Sequence, residues 1–205
     1  MELYLVRHGE TEWSRARRHT SRSDVPLSPV GEAEAAALGA HLRGLAVDRV
    51  LASPMARAQA TARLAGFGDH LETTDALQEL DYGDYEGLTT REIRATRPGW
   101  DLFRDGCPGG ETVATAAVRA RALIGELAGP GRAMLFGHGH QLRILAACYL
   151  GLPPDSARHL FLGTASLSVL ATEHDWPAIL LWNEQEGSGA HVAEAGTTGW
   201  RGVPS

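Results

Sequence analysis

The sequence predicts an α/β domain organised on parallel strands, and three short stretches predict it. Leu3-Tyr4-Leu5-Val6 runs straight into Arg7-His8-Gly9, and Ala133-Met134-Leu135-Phe136 runs into Gly137-His138-Gly139. Val50-Leu51-Ala52 runs into Ser53-Pro54 and then a helix carrying Arg57. Each apolar run is too short for a helix and stops at a turn-forming residue, the pattern of a buried strand. Ligands of parallel α/β sheets bind outside the carboxyl ends of the strands. If the three strands are neighbours, His8, His138, Arg7 and Arg57 converge on one sheet edge, two imidazoles and two guanidiniums around an anion.

Composition sets the bounds. The 205 residues suffice for one domain with a full core and an inserted cap. With 43% hydrophobic and 21% charged residues, the chain has an ordinary globular make-up. A net charge of -6 argues against a nucleic-acid partner and makes any arginine cluster a local feature. Cys107 and Cys148 are too few for a disulfide framework or a four-cysteine zinc site, and neither opens a Cys-x5-Arg loop. No segment approaches the roughly 20 apolar residues of a membrane span, so no membrane partner is expected. Arg7 and His8 interrupt the first apolar run, which does not read as a secretory leader, and a cytoplasmic location is expected.

In chain order, residues 12–24 read as a polar loop in which Arg15, Arg17, Arg18 and Arg22 crowd with His19, Thr20 and Ser21. It is expected to cover the anion site, with Thr20 and Ser21 gripping a substrate. Ser28 and Pro29 open a helix with apolar residues at helical spacing, ending at Gly44. His41 lies on its apolar stripe and reads as a packed residue, not a catalytic one. Residues 49–52 form the second strand. Ser53 is expected to cap the next helix, placing Arg57 about one turn in, where the helix N-terminus already favours anions. Residues 71–74 read as an edge strand.

Residues 77–87 hold four carboxylates and two tyrosines between glycines, an ordered loop that presents an acid. Composition leaves Glu79, Asp81, Asp84 and Glu86 equal candidates. Residues 89–97 form a short helix and 100–110 a loop; together residues 88–110 read as a cap insertion. A helix over 111–128, a strand over 132–136 and a helix from His138 through Leu150 follow, then strands over 165–171 and 178–182. The glycine-rich stretch 186–205 reads as a flexible tail dispensable for catalysis.

A phosphoryl group fits the constellation. Two arginines and a histidine neutralise its oxygens, which is most of what phosphoryl transfer needs. His8 is the natural nucleophile, attacking through one nitrogen while the other donates to a backbone carbonyl. A carboxylic acid from residues 79–86 protonates the leaving alkoxide and then deprotonates the attacking water. His138-Gly139-His140 contains an H-x-H pair, but the turn at Gly139 splits it and the arginines repel a cation, so neither metal nor other cofactor is expected.

Arg7-His8-Gly9-Glu10-Thr11 resembles the signature of the histidine phosphatase superfamily, the phosphoglycerate-mutase-like proteins. Ser53 to Ala62, Leu77-Gln78-Glu79 with Tyr82 to Gly87, and Gly137-His138-Gly139 resemble its further motifs in family order, across the chain to about residue 185. The resemblance implies a three-layer fold: a mostly parallel sheet, helices on both faces and a small cap. It implies His8, Arg7, Arg57 and His138 in the roles argued above, and Glu79 as the proton donor. Ser14 stands where many members have an asparagine touching the phosphoryl group, Ser21 where many have a glycine, and Gly139 lies within the last motif.

Residues 84–93, 104–108 and 137–143 are similar to sedoheptulose-bisphosphatase-like enzymes and actinobacterial-type acid phosphatases, in which setting Arg143 binds a second phosphate or a carboxylate. The implied function is hydrolysis of a small phosphorylated metabolite. A phosphoglycerate-type mutase and a non-catalytic phospholigand-binding module are the rivals. Pairing into a homodimer is in keeping with such folds.

Overall fold

In the computed structural model, residues 1–185 are described; the expected tail, residues 186–205, lies outside them. Six strands, β1 (Glu2–Arg7), β2 (Arg49–Ala52), β3 (Leu71–Thr73), β4 (Arg132–Gly137), β5 (Leu167–Glu173) and β6 (Trp176–Glu184), form one sheet in the order β3-β2-β4-β1-β5-β6. The first four are parallel, and the two strands nearest the C-terminus add an antiparallel edge. The seven helices are α1 (Glu12–Arg15), α2 (Pro29–His41), α3 (Ala56–Leu64), α4 (Thr90–Thr96), α5 (Leu102–Asp105), α6 (Val113–Glu126) and α7 (Gly139–Tyr149) among the described residues.

Side-chain alternation along the strands produces two cores. Leu3, Leu5, Leu51 and Leu135 face one way and pack with Ala116, Ala120 and Leu123 of α6 and Leu142, Leu145 and Ala146 of α7. Tyr4, Val6, Val50, Ala52, Met134 and Phe136 face the other way, against Leu38 of α2 and Ala62 of α3. The central strands are buried on both faces, as a parallel sheet between helical layers requires. Each fully buried Leu or Phe contributes about 1.5–3 kcal/mol to the fold. The fold class expected from the sequence is therefore the one observed.

Local differences have local causes. Residues 12–24 are not all loop: Thr11 and Ser14 form a capping box that nucleates α1, each side chain accepting the other's backbone N–H. Ser53 does not cap α3. Met55 holds the cap position without a side-chain bond, and Asp24 reaches across from the preceding loop to accept the Ala56 N–H at 2.9 Å. Residues 100–110 contain α5, started by Asp101, whose carboxylate accepts the Phe103 and Arg104 N–H groups. His41 bonds through Nε2 to Glu184 Oε2 at 3.2 Å.

The turn after β1 crosses the start of α2 at a distance only glycine permits. A Cβ on Gly31 would meet the Glu10 carbonyl oxygen at 2.1 Å, and one on Gly9 would meet the Gly31 carbonyl oxygen at 2.3 Å. Gly31→Ala is expected to cost about 1–3 kcal/mol by overpacking. In a thermal melt that is a fall of roughly 2–4 °C in Tm for each kcal/mol.

Candidate active site

β1 and β4 pair so that Arg7 lies beside Gly137, and β2 and β4 pair so that Ala52 lies beside Phe136. The next residue on each strand is then His8, His138 or Ser53. The His8 and His138 rings stand edge to face with centroids 5.1 Å apart. His138 Nε2 bonds Ser53 Oγ at 2.8 Å. His8 Nδ1 lies 2.8 Å from the Gly9 carbonyl oxygen. A carbonyl can only accept, so Nδ1 carries the proton and Nε2 keeps its lone pair. Burial, then the charges of Arg7 and Arg57, push the His8 imidazole well below its usual range; burial and the same guanidiniums do so for His138.

Both arginines are held by neutral oxygens. Arg7 donates to the Leu162 carbonyl at 2.7 Å. Arg57, fully buried, donates to the Ser23 carbonyl at 2.8 Å and the Ser21 carbonyl at 3.1 Å, and so ties the loop before α2 to α3. The Nε atoms of Arg7 and Arg57 and Nδ1 of His138 are buried without a hydrogen-bond partner among the described residues. Three such groups beside the His8 imidazole are suited to the oxygens of an oxyanion.

Glu79 sits at the start of α7. Its Oε1 accepts the Leu80 N–H at 2.9 Å and the Gln141 N–H at 2.8 Å, and its Oε2 accepts the His140 N–H at 3.0 Å. Oε2 keeps the freer lone pair. Of the four acids in this loop, Glu79 alone lines the cavity at the strand tips, a space of about 710 Å³ that Arg7, His8, Gly139 and Arg143 also line. Asp81 pairs with Arg22, and Glu86 accepts from Ser21 Oγ at 2.6 Å and from the Ser23 N–H at 3.0 Å.

The remaining expected residues divide. Ser14 and Thr20 line the cavity, but the Ser14 hydroxyl is engaged with the Thr11 backbone and the Thr20 hydroxyl donates to the Arg18 carbonyl. Ser21 is buried off the cavity, where its Oγ bonds Glu86 and accepts the Tyr82 N–H, so it braces the loop. Arg57 and His138 lie beneath the cavity surface, fully buried. Arg143 reaches the cavity while donating to the Ala157 carbonyl at 2.9 Å and lying 5.0 Å from the Phe103 ring centroid.

Sequence reasoning gave no role to a wall of neutral rings. His19 packs on Tyr82 with centroids 4.7 Å apart and on Trp100 at 5.6 Å. Phe103 meets His140 at 5.6 Å, and Tyr82 Oη lies 2.6 Å from His140 Nδ1. Burial lowers His19 to about 4. The two histidines of the H-x-H pair thus face different partners, Ser53 and Tyr82. Among the described residues no group of three or more His, Cys, Asp or Glu side chains gathers as a metal site, and no helix is long and apolar enough to cross a membrane.

An α/β sheet whose parallel strand tips carry two buried imidazoles, two guanidiniums and a facing carboxylate is the framework of a phosphoryl-handling enzyme. The family model of the histidine phosphatase superfamily (branch 1) matches residues 3–185, and the chain belongs to that superfamily as an enzyme of the phosphatase class. It is 38% identical over 177 residues to an acid phosphatase of Mycobacterium tuberculosis, covering 84% of this chain and 87% of that protein. It is 34% identical to a sedoheptulose 1,7-bisphosphatase of Saccharomyces cerevisiae, covering 72% of this chain and 67% of that one. A probable phosphoglycerate mutase of Salmonella choleraesuis is 32% identical, covering 94% and 95%. Among solved structures, a functionally characterised open reading frame product of M. tuberculosis superposes with a TM-score of 0.85 at 36% identity, covering 90% of this chain and 97% of that one. A mycobacterial glucosyl-3-phosphoglycerate phosphatase gives 0.81 at 29% identity, covering 89% and 98%.

The electrostatics make a direct prediction. In an NMR titration the His8 and His138 imidazoles should remain neutral at about pH 6, where a free histidine near pKa 6.5 is mostly protonated. A His8 midpoint at or above 6.5 would contradict the effect of burial and the adjacent guanidiniums.

Proposed function

We propose that the protein is a metal-independent phosphomonoesterase that cleaves a small phosphorylated metabolite through a phosphohistidine on His8. The observation that carries this reading is the His8 tautomer: the Gly9 carbonyl holds the Nδ1 proton and leaves Nε2 as a neutral nucleophile beside Arg7 and opposite Glu79. Nε2 attacks phosphorus, the P–O ester bond breaks, and the leaving oxygen takes the proton of Glu79. Water then attacks the phosphohistidine, the P–N bond breaks, and the Glu79 carboxylate takes the water's proton. The ester and water leave as alcohol and phosphate, and His8 and Glu79 return to their starting states. Arg7, Arg57 and His138 supply donors to the phosphoryl oxygens, and their charge is realised most fully where charge builds up on those oxygens.

The metal-free route is supported by the chemistry of the donors. Guanidiniums repel a cation, and one ring nitrogen of each histidine in the H-x-H pair is already engaged, His138 Nε2 with Ser53 and His140 Nδ1 with Tyr82. For the substrate, a cavity of this size with Arg17, Arg18 and Arg143 on its wall suits a metabolite carrying a second anionic or polar group. The names of the yeast and mycobacterial relatives agree with a sugar phosphate or a phosphoglycerate derivative. The Salmonella relative favours a second reading, a mutase that moves the phosphoryl group between positions of one substrate.

The test is phosphate release from an aryl phosphate and a panel of sugar phosphates in excess chelator. Release should persist in the wild type and fall by about 10³-fold or more in His8→Ala. Glu79→Gln should slow esters with poor leaving groups by about 10²–10⁴-fold and aryl esters far less. Full activity in His8→Ala, or loss of wild-type activity to the chelator, would overturn the proposal. Phosphoryl exchange without free phosphate would establish the mutase.

A further inference from the structure

Glu79 presents a chemical difficulty. Its carboxylate accepts three backbone N–H groups, two of them from the first turn of α7. Those donors occupy both oxygens, yet a general acid must begin with its proton on one of them. The groups around it do not resolve this. Arg7 on β1, Arg57 on α3 and Arg143 on α7 all feel its charge, and a guanidinium has no acceptor to offer a carboxyl hydrogen. His8, His19 and His140 are held neutral by burial.

Tyr82 is the one neighbour that can act in either sense. Its hydroxyl has two claimants. The Glu79 carboxylate is one, since its charge and a hydrogen bond to it both add to the burial that pushes the phenol up. His140 is the other, with Nδ1 only 2.6 Å from Tyr82 Oη. A phenol has a single hydrogen. If Glu79 takes it, the carboxylate gains a fourth donor. If His140 takes it, Tyr82 shows Glu79 only lone pairs, which can accept a proton carried on Glu79 Oε2. The His140 ring favours the second arrangement. Burial, then the charge of Arg143, keeps it neutral with a single ring hydrogen; with that hydrogen on Nε2, Nδ1 is an acceptor for the phenol.

We propose that Tyr82 and His140 are positioning residues for the general acid: His140 Nδ1 holds the Tyr82 hydroxyl hydrogen away from Glu79, so that the phenol oxygen supports the protonated carboxyl. The inference rests on Glu79 being the proton donor. Residues 82 and 140 are 58 apart in sequence and meet only because α7 begins where the acid loop passes.

The test is the pH profile of kcat/KM for glycerol phosphate, a poor leaving group, with p-nitrophenyl phosphate as the comparator. The basic limb of the glycerol phosphate profile reports loss of the acid's proton. Glu79→Gln comes first: the limb should vanish and activity on glycerol phosphate should fall selectively. A limb that survives in Glu79→Gln removes Glu79 as the acid, and this inference with it. Given that control, Tyr82→Phe should move the limb to lower pH by roughly half a unit to one unit, the size of one neutral hydrogen bond. His140→Leu should move it the same way, because the released hydroxyl turns to the carboxylate. His140→Asn, which retains an acceptor near Nδ1, should restore the wild-type limb. The Tyr82→Phe/His140→Leu double variant should shift no further than Tyr82→Phe alone. With p-nitrophenyl phosphate, whose leaving group needs little protonation, the variants should show no matching shift of the basic limb. A glycerol phosphate limb that stays in place, a limb that moves upward, or additive shifts would overturn the proposal.

Discussion

The register of three parallel strands is the constraint on which the rest of this molecule depends. Arg7 opposite Gly137 and Ala52 opposite Phe136 make the next residues, His8, His138 and Ser53, neighbours. A slip of one residue would turn every side chain of a strand to the other face, exchanging Leu3 and Leu5 with Tyr4 and Val6 between two cores packed for different shapes. The cores therefore hold the histidines in place. The close approach of Gly9 and Gly31 extends the same constraint to the turn that follows His8.

The positive charge at the strand tips is left largely uncompensated. Arg7 and Arg57 are held by carbonyl oxygens, which orient a guanidinium without cancelling its charge, and each keeps its Nε without a partner among the described residues. The carboxylate of Asp24 stands 3.8 Å from Arg57 and is half exposed, so water screens it. In a buried setting the surviving field has a long reach. Burial first and this field second keep the imidazoles neutral, and the field favours an anion beside them. Glu79 lines the same cavity, anchored by the first turn of α7, where backbone N–H groups fix both of its oxygens.

The site is legible in the sequence wherever a functional residue ends a strand. Arg7, His8 and His138 follow apolar runs whose length and abrupt stop give strand and tip together, and the placement of those residues on neighbouring strands agrees with that reading. Glu79 is different. Its loop offers four acids without periodicity, and the family resemblance singles out one of them. The structure separates them by partner: Arg22 for Asp81, the Ser21–Ser23 backbone for Glu86 and the cavity for Glu79. Ser21 and Ser14, expected at the substrate, have their hydroxyls engaged in bracing a loop and capping a helix.

By itself the sequence determined the α/β class, the strand tips and the residue types gathered there, because hydrophobic runs and turn residues act within a few positions of one another. Only the tertiary structure decided which loop carbonyls hold Arg57, that Asp24 stands at the start of α3 and that Tyr82 meets His140. These contacts join segments 32 to 58 residues apart. A hydrogen bond across such a separation leaves no repeat in the sequence; it exists only once the sheet has brought the two segments to the same edge.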